Sequence, residues 1–159
     1  MENQNIDQLL SELMASSIST QEYRNMIDEG KLVKRRLGDI QFEEKYPSHP
    51  LASSMRFKRI DAAETIREII VKNPNSITKQ NLDLLNKAVF DCCTTVRLVI
   101  VQALGLLSQI ESLDNLQRLL DIEDESDIVK KATQEAIRVI KGELKINEGR
   151  YIRTELVYS

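Results

Sequence analysis

The stretch VRLVIVQALGLL, from Val96 to Leu107, decides how this chain folds, because its pattern recurs at a fixed distance further along. Val96-Arg97, Val99, Ala103-Leu104 and Leu107 reappear as Val129-Lys130, Ala132, Ala136-Ile137 and Ile140, displaced by 33 positions (96 to 129, 107 to 140). Upstream, Leu82 and Leu85 match Leu116 and Leu119 at a displacement of 34 (82 to 116, 85 to 119), so the one-residue slip falls in a turn, where chains tolerate it. Apolar residues at three- and four-residue steps in both copies mark one face of a helix. Helix pairs that cannot bury their apolar faces alone do so by stacking on one another. Residues 78–108 and 112–142 therefore read as two tandem helical hairpins.

Working outward, Ser76-Ile77-Thr78 opens the first hairpin through Leu82, Leu85, Val89 and Phe90, and Asp91 to Thr95 is the turn into its second helix. Leu113 to Asp121 and Asp127 to Gly142 repeat the pair, with Asp127 expected to cap its helix. Towards the N-terminus, Phe57, Ile60, Ala63, Ile66 and Ile70 keep a helical stripe that Asn73-Pro74-Asn75 stops, since proline brings no N–H to the helix. Ile6, Leu9, Leu10, Leu13 and Met14 predict a short first helix. A second, through Tyr23, Met26, Ile27, Val33 and Leu37, is expected to be weakened at Gly30 and to end at Gly38. The segment GDIQFEEKYPSHPLASS, from Gly38 to Ser54, holds two prolines and little periodicity, so it reads as a long surface connection. GRYIRTELVYS, residues 149–159, reads as an extended tail. The expected division is a helical cap over 1–37, a connection over 38–55, repeats over 56–142 and a tail over 143–159, all in one domain.

Composition agrees with an all-α fold. Hydrophobic residues make up 42% and charged residues 30% of the 159, enough apolar material to bury a continuous core. Aromatics are only 4%, and Gly and Pro are few, so helix formers prevail over strand and turn formers. A net charge of -3 argues against gripping a phosphate backbone over the whole surface. Cys92 and Cys93 are adjacent and poorly placed to bridge each other, which points to a reducing, cytoplasmic setting. The first residues lack the basic start and apolar run of a signal peptide, and no apolar run approaches the roughly 20 residues that span a bilayer, so no membrane partner is expected.

At Val96 to Leu107 the chain resembles the HEAT repeats, whose second helix often opens after an acidic turn with Val-Arg, then a small residue, then Ala-Leu-Gly. The copy IVKKATQEAIRVI, residues 128–140, departs by placing Lys130 for the Arg and Arg138 for the Gly, as a terminal repeat does. FKRIDAAETIREII, residues 57–70, resembles such a helix loosely; it has no Val-Arg, and its partner helix falls before the long connection. The resemblance implies an all-α, short, right-handed solenoid of about six or seven stacked helices. It implies a non-enzymatic scaffold or adaptor that binds another protein and needs no cofactor. The concave face of such a solenoid is lined by second helices, which marks Arg67, Arg97, Gln102, Lys130, Gln134 and Arg138 as partner-binding candidates. For Arg97 the family offers a structural alternative, a bond to the acidic turn of the neighbouring repeat. Two other readings come from HEAT-like proteins: DNA glycosylases, which hold a phosphate backbone, and bilin lyase subunits, for which Cys92-Cys93 or His49 would have to matter.

Residue chemistry adds little to single out a site. Lys31, Lys34, Arg35 and Arg36, with Arg56, Lys58 and Arg59 beyond the connection, form the basic concentration that would meet an acidic partner or nucleic acid if the fold joins both runs. His49 is the one histidine, too few for histidine-based metal sites or nucleophile activation, and reads as an exposed residue between prolines. Cys92-Cys93 follows Asp91 and has no basic neighbour in sequence, which favours packing over redox chemistry. Asp121, Glu123, Asp124, Glu125 and Asp127 form an acidic turn without the glycine of a calcium loop and read as a solvated turn. A homo-oligomer, through an open stack end or the tail, fits the same architecture.

Overall fold

A computed structural model of the chain describes residues 5–16, 20–122 and 125–145, giving backbone alone for 20–24 and 27. Among them are seven α-helices: α1 (Ile6–Met14), α2 (Thr20–Lys45), α3 (Ser53–Lys72), α4 (Lys79–Ala88), α5 (Thr94–Leu107), α6 (Leu113–Leu120) and α7 (Asp127–Ile140). Local chemistry sets their ends. The Asn5 side chain caps α1 by accepting from Asp7 N at 2.8 Å. α3 stops at Asn73, whose N–H still donates to Ile69 O before Pro74 begins a 3-10 turn. Thr78 and Asn81 cap α4 reciprocally, each side chain accepting from the other's backbone N–H. The cap of α7 is Ser126, which accepts from Val129 N at 3.4 Å; Asp127, expected to cap, stands in the first turn, where its charge favours the helix dipole.

Packing pairs the helices. α1 lies along α3, α4 along α5 and α6 along α7, while α5 runs between α3 and α7. One core joins the three pairs, from Leu9, Leu10 and Leu13 through Ile66, Leu85, Val99 and Leu104 to Leu116, Leu119 and Ala136. The helix partner that the Phe57–Ile70 stripe called for is thus α1, with α2 inserted between the two.

α5 and α7 show why two copies of one pattern differ. Every residue from Val96 to Gly105 is buried, as in a helix that is apolar all round and enclosed on several sides. α7 instead leaves a stripe of Asp127, Lys131, Gln134, Arg138 and Lys141 exposed. At the 33-residue displacement Leu98, Val101 and Gly105 become Lys131, Gln134 and Arg138, apolar or small where a neighbour covers them and polar where no described residue does.

The connection expected over 38–55 is largely helix. The backbone does break at Gly38, with φ 80° and ψ 169°, a conformation that glycine adopts without strain. Helix resumes and runs to Lys45, and α3 starts at Ser53, leaving only residues 46–52 between them. Two contacts hold the added segment. Phe42 is buried against Leu51 and Ala52, and the Glu43 carboxylate accepts from the backbone N–H and hydroxyl of Ser54 in the first turn of α3. Gly30 does not weaken α2. It lies buried beneath the ring of His49, where a Cβ would come within 2.6 Å of Cε1. The tail GRYIRTELVYS falls outside the described residues, and among those described no helix is long and apolar enough to cross a membrane.

Candidate functional site

Several polar side chains of α3, α5 and α7 turn inward, among them Arg59, Arg67, Arg97 and Gln102. Arg97, near the start of α5, donates through Nε and Nη2 to both oxygens of Glu125 at 2.8 and 2.7 Å. Its Nη1 donates to Asp91 O at 2.8 Å. Glu125 lies in the turn leading to α7, where Ser126 N also donates to it at 2.8 Å. Its side chain is 1% exposed, so this residue of the acidic turn is not solvated. The acid-turn alternative for Arg97 is the arrangement present, and the concave-surface role expected of it has no exposed guanidinium to use.

The same tie occurs one layer earlier. Arg59 of α3 is fully buried, with Nε 2.7 Å from Asp91 Oδ2, a charge contact rather than a well-aligned hydrogen bond. Its Nη2 donates to Pro50 O at 2.6 Å, and Nη1 to Ser16 Oγ at 2.7 Å. Asp91 also accepts from Cys93 N at 2.8 Å, so it caps the turn into α5 as Glu125 caps the turn into α7. In both layers an arginine grips a backbone carbonyl of its own preceding turn, Pro50 O or Asp91 O, and the carboxylate of the next. Sequence reading had placed Arg59 in a surface basic run. The acids recur with the repeat, Asp91 and Glu125 lying 34 apart (91 to 125) as do Leu82 and Leu116, but Arg59 and Arg97 lie 38 apart (59 to 97), so the spacing marks the carboxylates and not Arg59. Lys130 occupies the Arg97 position in α7, half-buried, where the series ends.

Arg67 and Gln102, also expected on a binding surface, are 2% and 1% exposed and bond each other, Arg67 Nη1 to Gln102 Oε1 at 2.6 Å. They join α3 to α5 instead of facing a partner. Burial of such groups is costly unless they are hydrogen-bonded, and this bond satisfies Arg67 Nη1 and Gln102 Oε1. Gln134 and Arg138 are exposed, with Lys131 and Lys141 beside them on α7. The basic concentration does not stand whole at the surface. Arg59 is interior, and Lys34 is half-buried, donating to Leu51 O and pairing with Asp39 at 3.4 Å; Arg35 and Arg36 point to solvent.

His49 is half-buried, not a free loop residue. Its Nδ1 accepts from Leu51 N at 3.0 Å, which assigns the proton of the neutral ring to Nε2. The ring meets Phe42 edge-on at 5.2 Å. Burial lowers its pKa below the usual value; Glu29 opposes that, and Arg59 and Lys34 reinforce it. Cys92 has the basic neighbour its sequence context lacked, since Arg59 Nη2 lies 3.2 Å from Sγ. Burial and the charge of Asp91 nonetheless push the thiol up to about 12, leaving it protonated and a poor nucleophile.

The chain matches no family model, and neither a curated protein nor a solved structure matches it.

Proposed function

We propose that the chain is a short HEAT-like stack of helical hairpins that acts by binding another protein, as an adaptor or scaffold. The observation that carries this reading is the recurring arginine–carboxylate tie, Arg59 to Asp91 and Arg97 to Glu125, placed alike in successive layers. A stack of like units requires such a nearest-neighbour link, and the pairing of α1 with α3, α4 with α5 and α6 with α7 supports the same reading. Buried ion pairs of this sort hold register more than they add stability. By this reading Arg67, Arg97 and Gln102 serve the stack. The surface left to a partner is the stripe Asp127, Lys131, Gln134 and Arg138 of α7 with Lys141 just past its end, whose three bases after Asp127 suit an acidic segment.

Affinity capture from the native host tests this, with Lys131→Glu/Arg138→Glu as the paired bait. The wild-type chain should retain a protein that the variant loses. Equal recovery by both baits, or recovery of nucleic acid alone with binding that collapses as salt rises, overturns it.

A further inference from the structure

Among the described residues, none covers one face of α2. Before Gly38 it leans inward through Gly30, Val33, Lys34 and Leu37, while Asn25, Asp28, Leu32, Arg35 and Arg36 stand exposed on the other side, flanked by exposed Glu29 on one edge and exposed Lys31 on the other. Leu32, at the middle, is 58% exposed. A single exposed leucine is ordinary; the charges around it are not arranged at random. Asp28 and Glu29 lie one turn before Leu32, and Arg35 and Arg36 one turn after it. Within the helix each acid is seven residues from its counterpart base (28 to 35, 29 to 36), about 10 Å of rise, too far for direct pairing. Among the described residues none of the four belongs to an ion pair.

This face is complementary to its own reversal. Laid antiparallel about Leu32, two copies set Asp28 and Glu29 of each beside Arg35 and Arg36 of the other, and Leu32 against Leu32. A parallel pairing would oppose like charges. A two-fold axis repeats every contact, as a closed, self-complementary interface demands. We propose that α2 pairs with α2 of a second copy in this antiparallel manner, with Leu32 on the two-fold axis. One helix pair buries less than the roughly 1,200 Å² of a standard interface, so the dimer is weak and exchanges rapidly. The inference stands on α2 alone and is independent of the partner reading for α7.

Sedimentation of the full chain over a concentration series at low ionic strength tests it. The wild-type mass should climb towards twice the monomer and fall back on adding salt, which screens exposed charges. Arg35→Glu/Arg36→Glu makes both ends of the face acidic, and Asp28→Lys/Glu29→Lys makes both ends basic. Each variant should stay monomeric alone, with unchanged helical circular dichroism, and an equimolar mixture of the two should dimerise. A wild-type chain that remains monomeric throughout, a charge variant that dimerises as the wild type does, or a mixture that fails to pair each overturns the proposal.

Discussion

Cutting the Arg97–Glu125 tie from one side should cost far more than removing it whole. In Arg97→Met the Glu125 carboxylate, 1% exposed, keeps the Ser126 N–H but loses both guanidinium bonds of 2.8 and 2.7 Å. Stranding one member of a buried pair costs about 3–5 kcal/mol. For a chain of this length each kcal/mol moves the midpoint of melting by about 2–4 °C, so the expected drop is about 6–20 °C. Arg97→Met/Glu125→Leu removes the charge on both sides. It leaves Asp91 O without this buried donor, at about 1–3 kcal/mol, while Ser126 N is part-buried and can turn to water. The double-mutant cycle should therefore show a favourable coupling of about 2 kcal/mol or more. Urea unfolding followed by circular dichroism reads the four stabilities, provided the slopes agree. A loss below about 1 kcal/mol in Arg97→Met, or a double variant equal to the sum of the singles, would refute the view that this tie is a dry, mutually dependent pair.

Gly30→Ala should destabilise the chain although alanine is the better helix former by about 1 kcal/mol, because its Cβ would meet His49 Cε1 at 2.6 Å and Leu51 Cδ1 at 2.9 Å. In a His49→Ala background the same change should cost less, since Leu51 Cδ1 alone stays close and can turn into the space the ring leaves, and an equal loss in both backgrounds would contradict the packing described. His49 is held neutral in the fold, so the unfolded chain takes up the proton first: its contribution is complete above about pH 6.5, shrinks as pH falls below that value, and levels off below the depressed native pKa. His49→Asn, whose side-chain carbonyl offers Leu51 N–H an acceptor without titrating, should remove that step from a plot of unfolding midpoint against pH; an unchanged step would assign it elsewhere. Cys92, with its thiol at about 12, should resist alkylation at mildly alkaline pH in the folded chain and react once urea unfolds it, as mass spectrometry of timed samples would show.

The helices from α3 onward were legible because each carries an apolar stripe of three- and four-residue steps closed by a cap or a proline. The segment after Gly38 was not, since a single aromatic, Phe42, anchors it and leaves its other residues largely polar and outward. A helix fixed by one buried ring and a Glu43–Ser54 contact leaves no periodic trace in its own sequence. Arg97 could be read correctly from the acid that follows its hairpin. Arg59 could not, because Arg56 and Lys58 beside it make a run that looks solvated, and only packing against the α4–α5 turn distinguishes the three. Arg67 and Gln102 were misplaced for a related reason. Whether a polar residue of a second helix faces solvent depends on neighbours on both sides, and α5 has them where α7 does not.

The insertion of α2 between two helices that pack together bears on how the chain reaches this state. α4 with α5, and α6 with α7, meet across short turns, so their docking closes small loops and proceeds early. α1 must find α3 across the whole of α2, a larger entropic closure for a helix of only 9 residues. The N-terminal helix is therefore the last to dock and the first to detach, and native-state hydrogen exchange should find its amides opening at lower free energy than those of α5. Until α1 arrives, Ala63, Ile66 and Ile70 of α3 lack part of their cover, and a chain slow in that final step exposes an apolar strip to other unfinished chains.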